Sequence, residues 1–171
     1  MRSVPAAHSI YRPLNYEPLD RLMLRIRRAS GMNMIARETA PSQIVRVLRG
    51  GGVVAILTDQ DARKDGIFVD FFGRPTSTLP TPAVLSFRFG APIVPVNIYR
   101  ERGRHVIIFD TPIWPDDFAA EENPSRAVTQ RLAARLESFV REHPDQWFWL
   151  HLRWKTKPEP ANEIRPPSSV Q

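Results

Sequence analysis

The sequence contains no cysteine, which excludes disulfides, thiolate metal sites and thiol nucleophiles together. It also lacks any run approaching the roughly 18 apolar residues that span a bilayer as a helix. Its first residues, Met-Arg-Ser-Val-Pro-Ala-Ala-His, hold no apolar stretch of the kind a secretory signal needs. The chain as written is therefore expected to be neither secreted nor membrane-spanning. Glycine is scarce, with eight residues against 17 prolines. Many of those prolines fall between hydrophobic runs, where they end strands and stiffen turns without removing a central ladder hydrogen bond.

What is present suits a globular protein: 171 residues, 42% apolar and 25% charged. Length and composition predict one domain with a sizeable core over residues 1–157, followed by a disordered, proline- and serine-rich tail at 158–171. A formal charge of +6, carried largely by arginine, favours an acidic partner: a phosphorylated lipid, an anionic membrane, nucleic acid or an acidic carrier protein. Charge does not choose among them. A nucleic-acid module is the weakest of these readings, because the aromatics cluster with buried-strand patterns and no reader motif is present.

Residues 17–30 place Leu19, Leu22, Met23 and Ile26 at helical spacing, with arginines on the other face and Gly31 as a stop. The stripe reads as core-facing; a membrane-apposed basic face is the other reading. A short helix is expected over 42–49, with Ile44, Val45 and Leu48 inward and Gly50-Gly51-Gly52 ending it. Residues 53–57 are apolar throughout, which predicts a strand buried on both faces of an α/β sheet. Thr58-Asp59-Gln60-Asp61 then falls at its carboxyl end, where open α/β sheets bind ligands. Residues 66–75 read as a short extended piece and a loop, and a helix follows from Thr81 to about Phe89. A second buried strand at 93–99 pairs with 104–109 as a hairpin across Arg102-Gly103. From Pro124 to Glu142, Val128, Leu132, Leu136, Phe139 and Val140 follow a helical period, and His143-Pro144 ends the helix.

Five motifs stand in one order: Tyr11-Arg12-Pro13-Leu14-Asn15, Asp59-Gln60-Asp61, Phe71-Phe72-Gly73, Gly90-Ala91-Pro92-Ile93-Val94-Pro95-Val96, and Trp147-Phe148-Trp149-Leu150-His151-Leu152-Arg153-Trp154-Lys155. From about Tyr11 to Pro158 the chain resembles the lauroyl/myristoyl acyltransferases of lipid A biosynthesis. The final block is the most specific part, preceded by Glu137 in its helix and by His143-Pro144-Asp145-Gln146. The resemblance implies an α/β chain with an incomplete glycerolipid-acyltransferase-like fold, its mixed, mostly parallel sheet flanked by helices. It also implies transfer of a fatty acyl chain from acyl-acyl carrier protein to a hydroxyl of a lipid A precursor, at the cytoplasmic face of the bacterial inner membrane. Neither metal nor organic cofactor is implied.

Relatives of this kind use a histidine and a carboxylate in H-x-x-x-x-D or H-x-x-x-x-E. The carboxylate orients the imidazole, and the imidazole removes the acceptor hydroxyl's proton. The resemblance puts that pair upstream of Tyr11, so the expectation is an N-terminally truncated relative that is inactive alone and leaves apolar surface exposed. The alternative is a catalytically inert, lipid-binding or regulatory relative. Five residues after His8 stands Pro13, which is no carboxylate. His105 and Asp110 match H-x-x-x-x-D literally, but a strand separates them by an odd number of residues and so points them to opposite faces. His143 reads as a helix C-cap and His151 as a structural, hydrogen-bonded histidine.

By position within the resemblance, Arg12 is an acceptor-binding arginine whose guanidinium fork suits a phosphorylated sugar. Asp59, Gln60 and Asp61 are active-site wall, with Asp59 available to hold Arg12 or a sugar hydroxyl. Arg74 is a further phosphate-binding candidate, and Pro92 and Pro95 shape the pocket. Trp147, Trp149, Arg153, Trp154 and Lys155 suit a membrane interface, where indoles and snorkelling basic side chains are both favoured.

Overall fold

A computed structural model describes residues 7–158, which fall into two compact units meeting between Leu57 and Thr58. The expected tail lies, Pro158 apart, outside the described residues. In the first unit β1 (Ala7–Tyr11) runs parallel between β2 (Asn33–Ala36) and β3 (Val53–Ala55). Parallel neighbours need long crossovers. These are α1 (Glu17–Ala29), from β1 to β2, and α2 (Ala40–Arg49), from β2 to β3. Ile35, Ala40 and Ile44 are buried here.

Two expectations change in this unit. The run at 53–57 is not a strand buried on both faces: β3 has three residues, stands at a sheet edge, and leaves Val53 and Leu57 exposed. The central place belongs to β1, and one face of β3, that of Val53 and Ala55, is left uncovered. Helix α1 forms where its periodicity predicts, with Gly31 just beyond it at φ +80, yet none of its residues is buried. Of its apolar stripe Leu19, Leu22 and Ile26 face solvent, while Met23 is half-buried.

In the second unit β4 (Ile67–Phe71) and β5 (Arg74–Thr78) form an antiparallel hairpin, where the sequence suggests only an extended piece and a loop. The two-residue turn explains Phe72-Gly73, since φ is +56 and +69 there, as a primed hairpin turn requires. A phenylalanine in the left-handed region costs on the order of 1–3 kcal/mol. Two carboxylates offset it: Glu137 accepts the Phe72 N–H at 2.6 Å, and Asp70 accepts the Gly73 N–H at 3.1 Å.

The backbone hydrogen bond from Phe72, assisted by Arg141, holds the Glu137 carboxyl below its ordinary value of 4.5 against the opposing effect of burial. A carboxyl whose folded pKa is depressed binds more protons when unfolded, so its contribution is complete above the unfolded pKa and fades as pH falls through the folded one. The expected result is acid destabilisation beginning near pH 4.5 that is shallower in Glu137→Gln than in wild type. Urea midpoints measured between about pH 3 and pH 7 check it, and parallel pH curves would count against it.

Helix α3 (Thr81–Phe89) ends on Gly90 in the left-handed conformation. Strands β6 (Val96–Glu101) and β7 (Arg104–Phe109) pair across Arg102-Gly103 as predicted, with Val96 opposite Phe109. β6 is nevertheless shorter than the expected strand and is not buried on both faces. Val96 and Ile98 lie on the uncovered face of β6, while Ile93 bridges Ile113. Helix α4 (Pro124–Glu142) begins on Asn123, whose side chain accepts the Arg126 N–H, and buries Val128, Thr129, Ala133 and Val140. Val69, Phe71 and Ala133 form one core cluster, and Ala83, Ile113 and Val128 another.

The α/β class holds, with parallel pairing in the first unit and two antiparallel hairpins in the second. Among the described residues no helix is long and apolar enough to cross a membrane.

Candidate functional site

The polar loop Thr58-Asp59-Gln60-Asp61 is organised from a distance of more than 90 residues along the chain. Arg153 is 1% exposed, and its Nη1 donates to the Gln60 carbonyl at 2.6 Å and the Ser77 carbonyl at 2.7 Å. Its Nη2 donates to Thr78 Oγ1 at 2.6 Å. One guanidinium thus ties the loop to β5. Burial pulls the Arg153 pKa below its ordinary value, and the negative charges of Asp59 and Asp61 oppose that pull. A buried cation is tolerated only with such partners.

Asp61 is fully engaged. Its carboxylate accepts from the Arg63 N–H and from Thr156 Oγ1, and its own N–H donates to His151 Nε2 at 3.0 Å. That contact occupies the Nε2 of His151. Asp59 differs, since its Oδ1 is buried without a hydrogen-bond partner among the described residues. A buried carboxylate oxygen in that condition is an acceptor still to be satisfied. Gly66 allows the close approach of β4 to β5 beneath this loop: a Cβ there would collide with Ser77 Oγ and the Ala62 side chain.

The C-terminal block requires a correction. Arg153 is not at a membrane interface, because it is buried, and Trp154 is half-buried. Arg153 is interior, and Trp154 stacks on Phe71 at 5.7 Å while its Nε1 donates to the Phe71 carbonyl at 3.2 Å. Trp147 also packs against Phe71, at 6.1 Å. Large side chains that do face solvent are Phe148, Trp149, Leu150 and Leu152, with Lys155 nearby in sequence. Trp149 is pinned at its other end by donation to the Pro144 carbonyl. Arg74 is exposed and lies over the Trp154 ring at 4.9 Å. Pro92 is exposed ahead of the Ile93 bridge, and the Pro95 carbonyl accepts the Asp110 N–H.

Arg12 lies in the first unit, exposed, directly after β1. Tyr11 is paired with Ala36, so Arg12 and Arg37 leave neighbouring strands side by side at the carboxyl edge. In the order β2-β1-β3 the chain moves to one side of β1 and returns on the other, the arrangement that opens a ligand crevice beyond β1 and β3. Arg37 is a candidate the sequence did not single out, and strand register is the only signal for it.

The sequence model described as bacterial lipid A biosynthesis acyltransferase matches residues 3–156. The chain belongs to that family. This lipid A acyltransferase family chain is 30% identical over 151 residues to the lipid A biosynthesis palmitoleoyltransferase of Escherichia coli, which covers 86% of the chain and 48% of that relative. It is 32% identical over 107 residues to the phosphatidylinositol mannoside acyltransferase of Mycobacterium tuberculosis, covering 63% of the chain and 32% of the relative. A third relative, the lipid A biosynthesis myristoyltransferase of Escherichia coli, is 29% identical over 143 residues, covering 82% and 43%. The chain thus spans between 32% and 48% of the length of these relatives.

In this member of the acyltransferase family the four histidines have other company. His8 Nε2 is 3.3 Å from the Asn33 amide, and His143 caps α4 and stacks on Tyr99 at 4.0 Å. His105 is paired across the hairpin with Arg100, whereas Asp110 accepts from Arg135 at 2.9 Å. Among the described residues no ion pair joins a histidine to a carboxylate, and no three histidine or acidic side chains converge as metal ligands would.

Proposed function

We propose that this chain is the acceptor-binding, pocket-forming part of an acyltransferase. That enzyme moves a fatty acyl chain from acyl-acyl carrier protein to a hydroxyl of a lipid A precursor at the cytoplasmic face of the inner membrane. The family match across residues 3–156 carries the reading. The same match supports treating residues 1–157 as one acyltransferase domain. Within the first unit Arg12 is suited to clasp a phosphate in a bidentate fork, and within the second Arg74 is a phosphate-binding candidate in its own right. In the second unit Asp59, whose buried Oδ1 has no partner among the described residues, is the candidate to accept from a sugar hydroxyl once the loop admits the ligand, while Gln60 and Asp61 stay fixed as wall. Pro92 and Pro95 shape the entry to β6. Trp149 and Lys155, with Phe148, Leu150 and Leu152, meet the lipid surface.

Deprotonating the acceptor hydroxyl needs an imidazole held by a carboxylate. None of the four histidines is so held among the described residues, so these 171 residues bind acceptor without turning it over. The test is titration of the chain with a lipid A precursor in mixed micelles, followed by addition of acyl-acyl carrier protein and mass spectrometry of the lipid. Saturable binding with no acylated product is expected. Product whose formation is abolished in His8→Ala or His105→Ala would overturn the assignment of inertness.

A phosphatidylinositol mannoside acceptor is the second reading, favoured by the 32% identity over 107 residues. Both acceptors combine a phosphate with sugar hydroxyls, and competition between them in the same titration separates the readings.

A further inference from the structure

Helix α1 turns toward solvent the face that an amphipathic helix ordinarily buries. At about 100° per residue, Leu22, Ile26 and Leu19 share an arc of about 60°. They are 49%, 56% and 45% exposed. Arg28, Arg21 and Arg25 occupy the neighbouring arc and are exposed as well. The flank next to the stripe, on the side away from the arginines, makes the contact with the unit: Met23, Asp20 and Leu24 are half-buried, and Asp20 Oδ1 accepts the Leu14 N–H at 2.9 Å. Apolar stripe and arginine row are therefore presented together. Arg21 meets Glu17 at 3.6 Å, an exposed i,i+4 contact that leaves the guanidinium available.

We propose that α1 is an in-plane docking helix for an anionic lipid bilayer, with Leu19, Leu22 and Ile26 entering the headgroup–acyl boundary and Arg21, Arg25 and Arg28 reaching the lipid phosphates. The inference deepens the membrane part of the function proposed above. Thirteen residues make a helix of about 20 Å, too short for a hydrocarbon core of about 30 Å but suited to lying along its surface. Charge argues against a second copy of the chain, because pairing through this stripe brings two arginine rows together on molecules of charge +6. Three side chains also fall far short of the roughly 800 Å² per partner of a standard protein interface. A bilayer bearing negative headgroups satisfies both halves of the surface at once.

Because the chain has no cysteine, Leu22→Cys gives a single attachment point for an environment-sensitive fluorophore. The probe surfaces are vesicles of phosphatidylglycerol with phosphatidylcholine, and vesicles of phosphatidylcholine alone, with neither acyl donor nor acceptor present. A blue shift and co-sedimentation with the anionic vesicles are expected, with little of either on the zwitterionic ones. Arg21→Ala and Arg25→Ala should each weaken partitioning about fivefold. Leu22→Glu with Ile26→Glu should reduce it at least tenfold, by an order-of-magnitude estimate, without lowering Tm.

Equal binding to both vesicles would overturn the proposal. So would a double glutamate variant that keeps its vesicle affinity and loses thermal stability, since the stripe would then be packing against protein. Binding that survives changes in α1 but disappears in Trp149→Ser would place the lipid contact in the C-terminal block instead. The lipid A precursor titration is independent of these outcomes, so failure here and failure of the proposed acceptor can be told apart.

Discussion

Replacing Arg153 with methionine is expected to destabilise the second unit by about 3–5 kcal/mol, the range for removing one partner of a buried, hydrogen-bonded charge network. Three acceptors lose their donor at once, namely the Gln60 carbonyl, whose hydrogen bond is part-buried, and the Ser77 carbonyl and Thr78 Oγ1, the last two buried where water does not readily replace the guanidinium. Asp59 and Asp61 also lose the cation that offsets their charges. For a chain of this size the loss corresponds to a fall in Tm of roughly 6–20 °C. Lysine is not a conservative replacement, because one ammonium on a flexible stem cannot reproduce a fork directed at three acceptors. Arg153→Lys should fall between wild type and Arg153→Met, with proton exchange accelerated at the Asp61 amide. Thermal and urea unfolding check the order. A loss under about 1 kcal/mol in Arg153→Met would show that the guanidinium is not what holds the loop.

The second large effect is expected at Phe71. This ring is fully buried, stacks on Trp154 at 5.7 Å, and meets Phe72 edge-on at 4.9 Å. Removing it in Phe71→Ala costs about 3–5 kcal/mol, from lost apolar transfer together with the cavity left between hairpin and C-terminal block. Phe71→Leu retains part of the volume and costs less. Because Trp147 and Trp154 pack against this cluster, tryptophan emission should move to the red in Phe71→Ala even under native conditions. Unchanged emission with unchanged urea midpoint would contradict the packing described for the block.

Much of the fold could be read from periodicity and turn chemistry. Helices α1, α2 and α4 follow 3.6-residue spacing, all four helices have proline near their starts, and Arg102-Gly103 marks a two-residue hairpin turn. Strands β1 and β2 left no comparable trace. Ala-His-Ser-Ile-Tyr and Asn-Met-Ile-Ala are too short and too mixed to show alternation, and their pairing depends on a sheet assembled from three separate places in the chain. The apolar run at 53–57 indicated extended structure correctly but misled about burial, because composition reports a residue's own polarity and not how many neighbours its strand will find.

The site was legible to the same limited degree. The polar loop after β3 stood out as Asp59-Gln60-Asp61, yet nothing local connects it to Arg153. An arginine among tryptophans reads as interfacial until acceptors at Gln60, Ser77 and Thr78 are brought around it. Within 147–155, inward Trp147, Arg153 and Trp154 and outward Phe148, Leu150 and Leu152 follow neither a strand nor a helix period, since the segment is a series of turns. Its orientation is set by long-range hydrogen bonds.

The central claim, that this chain holds the phosphorylated acceptor of an acyltransferase, is tested most directly by the affinity of wild type and Arg12→Ala for a lipid A precursor in mixed micelles, with and without its phosphates. A charge-assisted bidentate contact is worth about 1.5–3 kcal/mol, so Arg12→Ala should bind the phosphorylated precursor roughly 10- to 100-fold more weakly. The dephosphorylated precursor should scarcely distinguish the two proteins. Equal affinity of wild type and Arg12→Ala for the phosphorylated lipid would contradict the account.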